Sequence, residues 1–144
     1  MLINMLIGMP TMILCLLTQS LLVILALRYY SSRERWVNSP SFSSSMVVIS
    51  SVMLLLVIGN LAQVAIWALL FQVMGEFETF DAAFYHSAVN FATLGYGDIV
   101  MSDQHKLLGP IQAVNGVLMI GVSTAALMAT FQDAMKKTRD ARRV

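Results

Sequence analysis

Charged side chains are scarce in this chain of 144 residues. Only 12% of the residues are Asp, Glu, Lys or Arg, whereas about a quarter is usual in a soluble globular domain. Hydrophobic residues reach 58%, and the formal net charge is only +1. The shortage of charge excludes an ordinary soluble domain, and the small net charge argues against a nucleic-acid-binding surface. The composition therefore predicts a membrane protein without a nucleic-acid partner.

Residues that could carry enzyme chemistry are also rare. Cys15 is the single cysteine, so no disulfide can form within the chain, and its apolar surroundings favour a small packing residue. Neither a Cys/His metal-binding spacing nor a nucleophile motif nor a phosphate-binding loop is present. We therefore expect no enzymatic activity.

Three long runs lack charge altogether. Residues 1–27 would form a helix of about 40 Å, enough to cross roughly 30 Å of hydrocarbon, and residues 46–74 and 107–132 are of similar length. We expect three transmembrane helices, with a linker over residues 28–45 that forms a loop or a short surface helix. A signal peptide is the alternative for the first run, but no basic start and no small-residue cleavage site precede Arg28.

The segment before the third run is apolar but too short to cross a membrane. Glu76, Glu78 and Asp81 mark a return to water, and Thr79 or Asp81 can cap a helix over residues 80–92. A dozen helical residues give about 18 Å, and the next five cover about 16 Å if extended. The chain can therefore enter the bilayer halfway and leave on the same side, as a re-entrant loop.

Residues 93–98 read Thr-Leu-Gly-Tyr-Gly-Asp. Gly95 and Gly97 allow the backbone to alternate between ordinary and positive φ, so that successive carbonyls point the same way. Such a carbonyl row can replace the hydration shell of a cation. Leu94 and Tyr96 would then turn outward and pack, and the Thr93 hydroxyl would add an oxygen at the inner end.

This motif resembles the selectivity filter of the potassium-channel family and matches its signature at every one of the six positions. The resemblance extends loosely over residues 46–132, with outer helix 46–74, pore helix 80–92, filter 93–98 and inner helix 107–132. It implies an all-α membrane protein that assembles as a homotetramer in the lipid bilayer, with K⁺ as the permeant ion and no cofactor. The implied K⁺ ligands are the backbone oxygens of Thr93, Leu94, Gly95 and Tyr96, with Gly97 completing the filter and Asp98 at the outer mouth.

The sequence departs from the family beside the filter. Tyr85 and His86 stand where many members carry two tryptophans, and we expect both to support the filter, Tyr85 by bracing Tyr96. His86 is either a structural histidine or a pH sensor. Val89 and Ala92 replace hydrogen-bonding residues of the common pattern, which leaves the strength of selectivity open.

The inner helix contains two glycines of interest. Gly116 lies near the position of the family's hinge glycine, and Gly121 is a second candidate for a gating hinge. Close helix packing is the alternative role for both glycines, and for Gly121 the two roles are equally compatible with the sequence. The first helix lacks a repeated Arg pattern, so we expect no voltage sensor.

The charges predict an orientation. Eight of the nine basic residues lie in the linker 28–45 and in a basic tail over residues 133–144, whereas five of the eight acidic residues lie in the segments assigned to the other side. The positive-inside rule then places the linker and the C-terminus in the cytoplasm and the N-terminus outside, in a multi-pass protein of the cell membrane.

Three functions are compatible with these features. The sequence favours a potassium-selective channel that conducts K⁺ passively. The alternatives are a weakly selective cation channel and a non-conducting membrane scaffold subunit in which Gly-Tyr-Gly-Asp is only a tight turn.

Overall fold

The computed structural model describes residues 2–37 and 42–141, and over these residues it is helical without strands. Its helices are α1 Leu2–Ser32, α2 Glu34–Val37, α3 Phe42–Val73, α4 Phe80–Phe91 and α5 Leu108–Ala141. Three of them, α1, α3 and α5, are long and apolar enough to cross a membrane. The predicted all-α class with three membrane-spanning helices is therefore confirmed.

Several helix ends differ from the prediction. We expected the first helix to end at residue 27, but α1 continues to Ser32, and α3 begins at Phe42 rather than at residue 46. The two ends of the predicted linker 28–45 therefore belong to α1 and α3, and α2 lies between them. Residues 38–41 of the linker lie outside the described residues. We expected the inner helix to end at residue 132, but α5 continues to Ala141. Residue 1 and residues 142–144, which include Arg142 and Arg143 of the basic tail, also lie outside the described residues.

The chain forms two compact units, and the first comprises Met1–Gln19 and Asn60–Ile120. Within it α1 runs parallel to α5. The Asn4 side-chain amide donates to the Gln104 carbonyl at 2.8 Å, and the Gln19 amide donates to the Met119 carbonyl at 3.4 Å. Because residue numbers rise together along both helices, their N-termini lie on the same side of this unit.

A hydrophobic core and polar contacts hold α3 in the first unit. Trp67 and Phe71 of α3 are fully buried together with Cys15 and Leu108, so Cys15 is the small packing residue that the sequence predicted. The Gln63 amide donates to the Gln19 side-chain oxygen at 2.6 Å. Side-chain amides in apolar surroundings stabilise helix association when they bond across helices, because an unpaired amide there is costly.

The second unit comprises Ser20–Gly59 and Gly121–Val144 and explains why α5 is long. The Tyr30 hydroxyl donates to an Asp133 carboxylate oxygen at 2.8 Å. The Lys137 ammonium donates to Glu34 at 3.2 Å and lies 3.0 Å from Asp133. The contacts of Asp133 with Tyr30 and of Lys137 with Glu34 join residues far apart in the sequence and stabilise the last turns of α5 beyond its uncharged run.

Candidate functional site

Helix α4 positions the loop that carries the motif. Its N-cap is Thr79, whose side chain accepts a hydrogen bond from the Ala82 N–H, so Thr79 rather than Asp81 fills the predicted capping role. In the middle of the helix the Ser87 hydroxyl donates to the Val64 carbonyl of α3 at 2.7 Å. The Gln112 amide of α5 donates to the Ser87 hydroxyl at 2.6 Å. Buried Ser87 therefore ties this short helix to both neighbouring long helices.

The backbone alternates in conformation through the motif. Thr93, Gly95 and Gly97 have φ of +58°, +59° and +73°, whereas Leu94 and Tyr96 have negative φ. Positive φ is uncommon for a residue with a side chain and costs on the order of 1–3 kcal/mol, so Thr93 is held there by its surroundings. The Thr93 and Leu94 N–H groups bond the Asn90 and Val89 carbonyls at 2.9 Å each, which joins the motif directly to the end of α4.

The motif is exposed on the protomer. All residues from 92 to 100 are exposed, including the side chains of Leu94 at 53% and Tyr96 at 65%. An opening of about 230 Å³ lies beside the inner end of the motif, lined by Asn90, Thr93, Gly95, Gly109, Pro110 and Ala113. Large apolar side chains are thus left uncovered at this loop on the protomer.

Tyr85 contacts the residue that follows the motif's second glycine. Its hydroxyl donates to an Asp98 carboxylate oxygen at 2.7 Å. This hydrogen bond lowers the pKa of the Asp98 carboxyl below its ordinary value, because it stabilises the ionised form. We expected Tyr85 to brace Tyr96, but the hydrogen bond of its hydroxyl goes to Asp98, two residues further along the chain.

His86 bonds through both ring nitrogens. Nδ1 lies 2.9 Å from the Ile99 carbonyl oxygen, and Nε2 lies 2.8 Å from the Asn90 amide nitrogen. The ring packs edge-on against Phe71, with centroids 5.7 Å apart, and at 42° to Phe77, with centroids 4.9 Å apart. The side chain is therefore built into the core between α3 and the segment after the motif.

The two glycines of α5 have different surroundings. A Cβ on Gly116 would lie 2.1 Å from the Phe91 carbonyl oxygen, so α5 passes the last residue of α4 at backbone contact. A Cβ on Gly121 would meet nothing within 4 Å. Close packing is thus the immediate reason for a glycine at 116, and the hinge role of either residue stays a prediction.

A polar cluster joins the loop after α3 to the loop after the motif, and it was not predicted from the sequence. The Glu76 carboxylate accepts hydrogen bonds from the Ser102 N–H at 2.6 Å and from the Ser102 hydroxyl at 2.7 Å. His105 Nδ1 lies 2.5 Å from the same carboxylate. Burial raises the pKa of Glu76, but the hydrogen bonds from His105 and Ser102 lower it by more, so the pKa lies below its ordinary value. The sequence signalled only that acidic residues follow the second run.

The oxygen ligands that the motif offers suit an alkali cation. Its inward-facing groups would be backbone carbonyl oxygens and one hydroxyl, which are neutral oxygen ligands able to replace water around K⁺. Carboxylates contribute only at Asp98, outside the repeating part of the motif. One copy supplies a single row of such oxygens.

Comparison with known proteins gives one result. A family model described as an ion channel matches residues 51–133, which is more than half of the chain. The matched segment includes most of α3, all of α4 and the motif, and most of α5. No curated protein and no solved structure matches the chain.

Proposed function

The chain belongs to the ion-channel family, and on this premise we propose that it is a potassium-selective channel that conducts K⁺ passively through a homotetrameric pore. The observation that carries the proposal is the alternating backbone of residues 93–97, with positive φ at every second residue. A chain that alternates in this way turns its successive carbonyls toward one side. The row of oxygens from Thr93, Leu94, Gly95 and Tyr96, with the Thr93 hydroxyl below, forms the K⁺ sites.

The exposure of the motif supports the oligomer. A single row of carbonyls cannot surround an ion, whereas copies related by cyclic symmetry bring one row each to a shared axis. Leu94 and Tyr96, exposed on the protomer, are then covered by the neighbouring copy. The number of four follows from the resemblance of the filter to that of potassium channels.

Helix α4 contributes electrostatically. Its C-terminal end, at Phe91, leads directly into the filter. The partial negative charge of a helix C-terminus, roughly half an elementary charge, favours a cation nearby. Asp98 adds a ring of four carboxylates at the outer mouth, which raises the local concentration of cations. Conduction of this kind involves no covalent step, so the protein acts as a transporter and not as an enzyme.

Structure and charge both support the predicted orientation. Since α1 runs parallel to α5 in the first unit, and Asn4 bonds Gln104, the N-terminus lies on the same side as the loop after the filter. The positive-inside rule assigns that side to the exterior and residues 133–144 to the cytoplasm of a cell-membrane protein.

A weakly selective cation channel is the second candidate. The side chains of Val89 and Ala92 offer no hydrogen bond to the filter. A filter held by fewer hydrogen bonds can widen. Two contacts favour selectivity instead, because Tyr85 bonds to Asp98, the last residue of the filter, and His86 bonds to Ile99 directly after it.

Ion flux into proteoliposomes distinguishes the functions. We expect uptake of Rb⁺ and K⁺ without uptake of Na⁺, from particles that contain four copies. Equal uptake of Na⁺ would establish the weakly selective channel. Monomeric particles without any flux would contradict both and leave the scaffold.

A further inference from the structure

Gln112 of α5 is a fully buried amide that contacts α4. Its amide nitrogen lies 2.6 Å from the Ser87 hydroxyl oxygen and 3.1 Å from the Ser87 carbonyl oxygen, and neither residue is exposed at all. The Ser87 hydroxyl donates its one proton to the Val64 carbonyl of α3 at 2.7 Å. Its oxygen is therefore an acceptor toward Gln112.

These contacts decide which end of the amide faces α4. The Ser87 carbonyl can only accept a hydrogen bond. An amide turned the other way would place its own oxygen at 3.1 Å from this carbonyl, where two acceptors repel. The NH₂ group has two N–H bonds and satisfies both oxygens of Ser87, so Gln112 donates twice to one residue of α4.

The bonds of Ser87 restrain α4 as a whole. In the part of the chain that the structure describes, every hydrogen bond between α4 and the long helices passes through Ser87. The other side-chain bonds of α4 go to residues 98 and 99 or stay within the helix and its cap. Apolar burial is not directional, whereas hydrogen bonds prefer one length and angle. Ser87 thus sets the depth and rotation of α4.

A second contact lies one turn further along both helices. Gly116 follows Gln112 by four residues, as Phe91 follows Ser87, and a Cβ on Gly116 would clash with the Phe91 carbonyl. These two pairs place α4 and the start of α5 in parallel register. Because Phe91 is the last residue of α4, this register extends to the start of the filter.

Stability alone does not account for a glutamine at this position. The other end of the Gln112 amide, Oε1, is buried and has no hydrogen-bond partner among the described residues. A buried acceptor without a partner costs free energy comparable to the net gain from a hydrogen bond, so the two effects largely cancel. An apolar side chain of the same size would fill the space but would leave α4 without its bond to α5.

We propose that Gln112 is a positioning residue for the filter: its amide holds α4 at one depth and rotation, and α4 holds the first filter residues. The inference rests on the proposed function, in which residues 93–97 bind K⁺. The Thr93 and Leu94 N–H groups bond carbonyls of α4 at 2.9 Å, so a shift of α4 moves the inner ion sites with it. Without the donors of Gln112, the rows of oxygens from the four copies would no longer lie at one distance from the shared axis.

Gln112→Met tests the inference, because methionine has about the size of glutamine and cannot donate. Hydrogen exchange of backbone amides, followed by NMR of the full-length protein in lipid bilayers, reports local opening. We expect the Thr93 and Leu94 amides to exchange about fivefold faster than in the native protein, the factor that corresponds to one net hydrogen bond. Exchange in α3 and the melting temperature should stay close to the native values.

Asn115→Leu is the matched control. Asn115 lies three residues further along α5 and is equally buried, but its amide makes no hydrogen bond to α4. The variant also loses a buried amide, yet its Thr93 and Leu94 amides should exchange at the native rate. Should Gln112→Met fail to fold, Ser87→Ala removes the hydroxyl that accepts from Gln112 and should speed exchange at the same amides.

Reversal potentials under K⁺ and Na⁺ gradients connect the position of α4 to ion preference. The permeability ratio of K⁺ to Na⁺ should be lower in Gln112→Met and in Ser87→Ala than in the native channel and in Asn115→Leu. The double variant Gln112→Met/Ser87→Ala should fall by less than the two single effects combined, because both act on one contact. Fully additive losses would mean that Gln112 does not act through Ser87.

Three further results would overturn the inference. Native exchange rates in Gln112→Met would show that the amide does not hold α4, and exchange that is faster throughout the chain would make Gln112 an ordinary core residue. A native permeability ratio despite faster exchange at Thr93 would show that the filter does not depend on α4. A native protein without preference for K⁺ would instead contradict the proposed function, and hydrogen exchange would still decide whether Gln112 holds the first residues of the motif.

Discussion

Gly116 of α5 lies against the carbonyl of Phe91, the last residue of α4, so closely that a Cβ would approach the oxygen to 2.1 Å. The neighbouring atoms are backbone atoms, which cannot move aside as a flexible side chain can. This contact fixes the distance between α5 and the start of the filter.

Gly116→Ala is therefore expected to be severely destabilising. Overpacking commonly costs about 1–3 kcal/mol, and a clash with backbone should reach or exceed the upper end of this range. Gly121→Ala is the matched control, because its Cβ meets nothing within 4 Å and alanine favours a helix by up to about 1 kcal/mol. Thermal unfolding of the detergent-solubilised assembly measures both. A Gly116→Ala protein as stable as the native protein would contradict this packing. If Gly121→Ala is stable but the channel opens less than the native channel, Gly121 is a hinge.

Gly95→Ala should abolish K⁺ uptake while leaving assembly intact, because φ of +59° is unfavourable for alanine and a shifted carbonyl breaks the ion sites. Gly75→Ala provides the control: Gly75 has φ of +77° and equally free surroundings, but lies outside the filter. It should cost comparable conformational energy without changing ion preference. Normal flux in Gly95→Ala would argue against the filter assignment.

Tyr85→Phe removes the hydroxyl that donates to Asp98. Because this hydrogen bond lowers the pKa of Asp98, the pKa should rise toward its ordinary value of 3.8 in the variant. The carboxylate ring is charged above this pKa and neutral below it, so the loss of K⁺ current on external acidification should begin at a higher pH than in the native channel. Current against external pH measures the shift. An unchanged midpoint would show that Asp98 does not control conduction.

Glu76→Gln removes a carboxylate that accepts three close contacts from Ser102 and His105. Hydrogen bonds to a charged group contribute about 1.5–3 kcal/mol, so we expect a marked fall in the thermal stability of the variant at neutral pH. Since the pKa of Glu76 is lowered in the folded protein, its stabilisation is complete above the ordinary value of 4.5 and is lost as the pH falls through the lower, folded value. The difference between the two proteins should therefore shrink in acid.

Exposed Glu78, two residues further, supplies the control for this experiment. Glu78→Gln should melt like the native protein at neutral pH. A Glu76→Gln protein with native stability at neutral pH would mean that the loop contacts contribute nothing.

Deletion of residues 1–27 should impair assembly or gating without changing ion preference. The deletion removes the Gln19 contacts with Met119 and Gln63 and uncovers the core around Cys15, but no filter residue lies in this segment. Reversal potentials of the truncated channel under K⁺ and Na⁺ gradients test the prediction. A changed selectivity ratio would show that α1 acts on the filter.

Much of the architecture could be predicted because it depends on local properties of the chain. The membrane-spanning helices follow from the length of the uncharged runs compared with the thickness of the bilayer. Helix α4 follows from a capping threonine and a short apolar run. The ends of α1 and α5 could not be predicted from the uncharged runs, because charged residues such as Asp133 and Lys137 remain helical through contacts with Tyr30 and Glu34, which lie about a hundred residues away.

The sequence by itself determined the three apolar spans, the half-length helix and the glycine spacing that permits an alternating backbone, since each follows from residue type at a fixed separation. Only the tertiary structure decided that Tyr85 bonds Asp98, that His86 lies between Asn90 and Ile99, that Glu76 meets His105, and that α1 pairs in parallel with α5. The reason is physical: the partner of a side chain depends on how helices are rotated and shifted when they pack, and no local pattern contains that information.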